Sequence, residues 1–146
     1  MKKVFVVFLA LLLCFSLTAC KSLEDKREEA VAYAETVAKE EGNKTPQYEI
    51  ATYYEPAEEA FVVFVASSKQ YYTDYIEKQY SKESEERKKL LVAAMMRVME
   101  NNNGSEIESV MANVGNAVKD DLAKVELRTI VVYVDLDEEV KYRIEL

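Results

Sequence analysis

Apolar residues recur along this chain at two spacings, and the switches between them divide it into eight elements. From residue 24 to 41, Ala30, Val31, Ala34, Val37 and Ala38 fall at helical intervals among charges, which predicts an amphipathic helix. Gly42 is expected to end it in a left-handed conformation, ahead of an Asn43–Pro46 loop. From Gln47 to Glu55 the period becomes two. Tyr48, Ile50, Thr52 and Tyr54 share one face of a strand, and Glu49, Ala51, Tyr53 and Glu55 share the other. Residues 56–59 form a turn, and Phe61–Val65 is an unbroken β-branched and aromatic run, as in a strand covered on both faces or paired centrally. A hairpin follows from this pair.

Three helices come next. Ser67 or Ser68 caps the first, whose apolar face holds Tyr72, Tyr75, Ile76 and Tyr80. Residues 81–84 interrupt it, and a second cap opens a helix with Leu90, Leu91, Val92, Ala94, Met95, Met96, Val98 and Met99 over a wide arc. That breadth predicts the most buried helix. Ser105 and Glu108 stand three apart, the spacing of a capping box. They precede the clearest stripe in the chain: Ile107, Val110, Met111, Val114, Ala117, Val118, Leu122 and Val125. The last twenty residues return to strand, residues 127–135 and then Val140, Tyr142, Ile144 and Leu146 alternating with charge. The order α-β-β-α-α-α-β-β defines an α+β class, a single domain over residues 24–146 with a mainly antiparallel sheet of two hairpins packed against helices. No β-α-β alternation of parallel type is visible in the pattern.

Residues 1–19 read differently. Lys2 and Lys3 precede the apolar run from Val4 to Leu13, and small residues follow. The stretch from Val4 to Ala19 is about sixteen residues, short of the roughly 20 that span a bilayer, and its basic-apolar-small order is that of a secretory signal. Leu17-Thr18-Ala19-Cys20 resembles the lipobox of bacterial lipoproteins. The resemblance covers residues 1–20 only. It implies that a diacylglyceryl group joins the Cys20 sulfur, that the leader 1–19 is cut away, and that the protein stays on the cell membrane at its extracytoplasmic or periplasmic face. Two acyl chains suffice for stable attachment where one is marginal. Residues 20–23 are then a short tether, holding the domain close to the lipid. The competing reading is an ordinary secretory signal with a released product.

Charge and chemistry narrow the function. Beyond residue 19 the chain carries 17 basic and 27 acidic side chains. That balance argues against nucleic acid as a partner, because phosphates need a basic face. It favours a cationic partner. With Cys14 in the leader and Cys20 on lipid, the domain holds no thiol, and the chain has no histidine. Histidine-dependent hydrolase triads and histidine-based zinc sites are thereby excluded. No cofactor motif is present.

Four groups are candidate sites. Asp135, Asp137, Glu138 and Glu139 crowd oxygen ligands into five positions, with Asp135, Asp137 and Glu139 the candidate metal ligands. The bending glycine and distal glutamate of a calcium loop are missing, so a solvated turn is the expected reading. Ten tyrosines occur without a tryptophan. Tyr72, Tyr75 and Tyr80 are expected to face the core, whereas Tyr53 and Tyr71 fall off the core faces and are the candidate binding residues. Met95, Met96, Met99 and Met111, at helical spacing, read as core rather than as an adaptable groove. Glu85 and Lys89 are placed for an i to i+4 pair.

These observations lead to the expectation of a membrane-anchored, non-catalytic binding or structural module with a protein, peptide or envelope polymer as partner. An immunity or exclusion lipoprotein that captures a cationic peptide or blocks phage entry is a narrower form of it. A carboxylate-based envelope glycosidase is the enzymatic alternative, and requires two acids across a cleft, one with a raised pKa. A subunit of a larger assembly would instead display an exposed apolar patch.

Overall fold

The computed structural model describes residues 21–146, so the leader and Cys20 lie outside the described residues. Helix α1 (Leu23–Gly42) begins inside the expected tether because Ser22 and Asp25 cap it reciprocally, each side chain accepting the other's backbone N–H at 3.1 Å. Gly42 does not end α1 in the left-handed region, since no glycine has positive φ and the cap is Asn43 in a right-handed conformation. Close packing needs the glycine instead. A Cβ at residue 42 would lie 2.4 Å from Ile50 Cγ1 and 3.1 Å from Ile50 Cβ.

Strands β1 (Tyr48–Glu55), β2 (Ala60–Ser67), β3 (Arg128–Val134) and β4 (Val140–Glu145) form one sheet in the order β1-β2-β3-β4. The α-β-β-α-α-α-β-β order and the α+β class are as the pattern predicts. Both outer ladders are antiparallel hairpins, with Tyr48 opposite Ser67 and Val131 opposite Ile144. The central ladder is parallel, from Ala60 opposite Arg128 to Val65 opposite Tyr133. A β-α-β crossover is therefore present where the pattern suggested none. The sequence hides it because three helices, α2 (Lys69–Gln79), α3 (Glu85–Asn102) and α4 (Gly104–Ala123), separate the two strands. Only α4 carries the chain back along the sheet; α2 and α3 are a hairpin inserted before that return.

Helices α1 and α4 cover one face of the sheet. Val31, Ala34 and Ala38 from α1 and the α4 stripe pack on Phe61, Val63, Val65, Val131 and Tyr133. Every α4 position named from the pattern is buried apart from the half-buried Ala117. Burying such side chains contributes about 1.5–3 kcal/mol each relative to exposure, so this layer dominates the fold's stability. The other face bears a strip of Ala60, Val62, Ile130, Val132 and Val134, with Tyr53 and Phe64 exposed beside it.

The capping box expected at Ser105 and Glu108 does not form. Helix α4 starts two residues earlier, at Gly104, with Asn103 as its N-cap making no side-chain cap bond. Asn103 also closes α3, so the two helices meet at a single residue, and its side-chain amide donates to Glu106 at 2.9 Å.

The molecule has two ends. Arg27, near the start of α1, is buried and donates to the carbonyl of Val125 and the carboxylate of Glu59, both at 3.0 Å. This draws the start of α1 to the segments that enter β2 and β3. Glu59 and Glu126 both take positive φ there, 50° and 60°. At the opposite end, β2 runs out at Ser67 and α2 begins at once, capped by Ser68. The 20 residues of α1 rise about 30 Å, which sets the separation of the two ends.

Candidate functional site

The α2–α3 hairpin holds its own small core of Tyr72, Ile76, Val92 and Met96, with Leu91, Met95, Met99 and Leu136 packed against it. Between this hairpin and the β3–β4 turn lies a cleft of about 890 Å³, within the size range of ligand sites. Its floor is apolar, from Ile76, Val92, Met96 and Leu136. Lys69, Glu77, Glu85, Lys88, Lys89, Arg97 and Glu138 stand around the rim.

The buried face of α3 explains why the cleft is there. Lys88, Val92, Met96 and Glu100 recur every four residues and are its buried positions. Glu100 is 3% exposed and joins the hairpin to the sheet. Its Oε1 accepts the Tyr133 hydroxyl at 3.0 Å and the Leu136 backbone N–H at 3.2 Å. Because the one phenolic proton goes to Glu100, Ser67 Oγ, 3.0 Å away, donates to Tyr133 in turn. Burial raises the Tyr133 phenol to about 12, opposed by the Ser67 bond and aided by Glu100. Burial likewise pushes Tyr48 and Tyr72 upward, with Glu106 adding to both. Arg97 lies 3.9 Å from Glu100 and grips Asp137 with two bonds of 2.8 and 3.0 Å. The β3–β4 turn is thus tied to α3 at both its backbone and its tip.

At the other mouth of the cleft, the buried side chain of Lys88 donates to Glu77 at 2.8 Å and Glu85 at 2.9 Å. Those bonds raise Lys88 and hold Glu85 below the ordinary glutamate range. Glu85 therefore pairs with Lys88, not with Lys89 as the spacing suggested, since Lys88 points inward between the helices. Lys69 and Lys89 make no ion pair among the described residues, and both line the cleft.

Of the remaining sequence candidates, the acidic group forms the β3–β4 turn that walls the cleft, and Tyr53 and Tyr71 lie outside the cleft lining. Asp135 Oδ1 accepts the backbone N–H of Asp137 and of Glu139, each at 2.9 Å, and Asp137 is taken by Arg97. These carboxylates order a turn. Arg97 holds Asp137 below the usual carboxylate range. Tyr53 is 52% exposed on the open sheet face and Tyr71 is 39% exposed on α2, where it meets Tyr72 edge-on at 5.3 Å. They share no surface. Tyr72 is buried as expected, but Tyr75 and Tyr80 are exposed, because the seam of α2 runs through Tyr72 and Ile76 only. Met96 and Met111 are buried, in two separate cores, while Met95 and Met99 are half-buried.

The larger correction concerns α3, which is not the most buried helix. Leu90 is 71% and Val98 55% exposed, with Ala94 open between them. No helix among the described residues is long and apolar enough to cross a membrane. Comparison with protein-family models, with curated proteins and with solved structures finds no match to this chain.

Proposed function

We propose that this chain is a membrane-anchored bacterial lipoprotein whose domain is a non-catalytic binding module, using the hairpin cleft to engage a protein, peptide or envelope polymer. The observation that carries the reading is Leu17-Thr18-Ala19-Cys20 at the end of a basic-apolar-small leader. The polarity of the fold supports it. Helix α1 starts three residues after Cys20, and the cleft lies at the far end of the domain, directed away from a bilayer at the N-terminus.

The charge distribution agrees. Residues 68–103 hold seven basic and six acidic side chains, while the rest of the chain beyond residue 19 holds ten basic and twenty-one acidic. The acidic surplus thus lies on the body, and the hairpin that lines the cleft is near-neutral, which suits a partner of mixed or no net charge. Against the glycosidase alternative, Glu77 and Glu85 in the cleft both accept hydrogen bonds from Lys88, and Glu85 is held low. A general acid needs the opposite shift. The surplus of acids on the body favours, as a second reading, capture of a cationic peptide there.

Phase partition of the full chain expressed in bacteria tests the proposal. Wild-type protein enters the detergent phase and carries two or three acyl chains at its N-terminus, whereas Cys20→Ser loses both properties. Wild-type protein in the aqueous phase with a free Cys20 thiol overturns it.

A further inference from the structure

The cleft follows one side of the α2–α3 hairpin along its length. On α2 it is lined by Lys69, Thr73, Ile76 and Glu77, and on α3 it extends from Glu85 to Arg97. The bond from Lys88 to Glu77 fixes which end of α3 lies beside which end of α2. Lys89 is therefore near Glu77, and Lys69 stands two helical turns away, about 12 Å. Lys88 is held by two carboxylates and Arg97 by Asp137, whereas Lys69 and Lys89 have no ion pair among the described residues. The cleft thus carries an uncommitted cation at each end of its apolar floor. We propose that it takes one amphipathic helix of a partner protein, with an apolar stripe on the floor and two acidic residues, two turns apart, paired with Lys69 and Lys89. This deepens the binding-module reading above and rests on it for the cleft as the contact site.

The backbone selects a helix over an extended segment. A strand draws its affinity from main-chain bonds to a sheet edge, and the cleft is walled by two helices and the β3–β4 turn. Every backbone N–H of that turn from Asp135 to Glu139 is already donated. Leu136 gives its own to Glu100, Asp137 and Glu139 give theirs to Asp135 Oδ1, and Asp135 and Glu138 bond to carbonyls inside the turn. A helix satisfies its own main chain and brings only side chains. Its geometry also matches the lysines. Residues seven apart share one helix face and stand about 10 Å apart, and positions i+3 and i+4 between them face the same way, onto the floor. Ala93, small and exposed on the α3 side, leaves the approach open. Glu138 is the lining carboxylate that has no ion pair among the described residues, and it suits a basic residue on the turn side of the partner. The cleft therefore asks for mixed charge in a fixed arrangement, and such complementarity acts on specificity more than on raw affinity.

The probe is a synthetic helical peptide of about sixteen residues with glutamates at i and i+7, leucines at i+3 and i+4, and lysines elsewhere. A second peptide of the same composition exchanges the glutamates and lysines. Binding to the full-length protein in nanodiscs is read by fluorescence anisotropy, with empty nanodiscs as the blank. The first peptide should bind at least about tenfold more tightly than the second, and Lys69→Glu and Lys89→Glu should each weaken it by about tenfold. Both lysines are exposed, so these variants keep the fold. Ala93→Trp fills the groove from an exposed position and should abolish binding. Equal affinity for the two peptides, no binding of either, indifference to the lysine variants, or binding that persists in Ala93→Trp overturns the proposal. Preference for the exchanged peptide, lost in Ala93→Trp, overturns it while leaving the cleft as a binding site. Failure of the anchored reading is seen separately, as an unmodified Cys20 in the mass of the wild-type protein, and the same titration on the free chain then decides the cleft by itself.

Discussion

Helices α3 and α4 are close in length and rich in apolar residues, yet they end in opposite environments. In α4 the apolar positions are separated by polar ones and make a single stripe, which α1 and the sheet cover. In α3 seven apolar residues run consecutively from Leu90 to Met96, so they wrap around the helix, and the hairpin is too small to cover them all. A broad apolar arc is therefore a statement about a helix and not about its neighbours. The stripe of α4 needs one partner surface. The arc of α3 is wider than the hairpin covers, and Leu90, Ala94 and Val98 stay open.

The contrast is broken most severely from the α4 side. Leu122 is fully buried between α4 and the sheet. Leu122→Ala removes its contacts and leaves a cavity, with an expected loss of about 2–5 kcal/mol. Denaturant unfolding measures it, and a loss below about 1 kcal/mol would mean that the α1–α4 layer does not dominate stability. Next in size is the junction between the two regions. Glu100→Ala leaves the buried Tyr133 hydroxyl and the Leu136 N–H without their acceptor, at about 1–3 kcal/mol for each group left unpaired. Hydrogen exchange should then accelerate across α2 and α3 while α4 stays protected. Uniform acceleration would show that the hairpin and the body unfold as one unit.

The same junction gives a pH dependence of known sign. Tyr133 titrates near 12 in the folded protein against about 10 when unfolded. A raised folded value means that the stabilisation is complete below about pH 10 and is lost as the pH climbs through 12, an effect of about 2–3 kcal/mol. Tyr48 and Tyr72 shift in the same direction and steepen the loss. Comparing wild type with Tyr133→Phe at pH 8 and pH 11 isolates the contribution. The phenylalanine variant should lose less stability between the two pH values, and equal losses would mean that Tyr133 ionises as it does in the unfolded chain.

The sequence carries the element order, the two hairpins and the α4 stripe, because each depends on local periodicity. The caps ahead of α2 and α3 are legible for the same reason; of Ser67 and Ser68 it is Ser68 that serves the first, and Ser84 serves the second, each accepting a backbone N–H three residues on. The parallel pairing of β2 with β3 is not legible. The apolar run Phe61–Val65 shows that β2 is central, but nothing local identifies its second neighbour. The cleft escapes for a related reason, since it depends on how the hairpin docks. One signal was available: Lys88, Val92, Met96 and Glu100 lie on a single four-residue row, with a charge at each end. A row that couples charged to apolar positions suggests an inward face with polar partners at both ends. The apolar density beside it draws attention to the opposite, exposed side of α3.

The smallest expected effect is the sharpest test of the comparison. Leu90 is 71% exposed in the monomer, so its removal forfeits little packing, and an exposed substitution away from special features usually stays within about 0.5 kcal/mol. Leu90→Gln keeps a residue of similar helix propensity and replaces an apolar side chain by a hydrated one. At dilute concentration its unfolding curve should overlay that of the wild type, in direct contrast to Leu122→Ala. A large loss in Leu90→Gln would mean that α3 packs this ridge against the rest of the chain, and the distinction between the two helices would collapse.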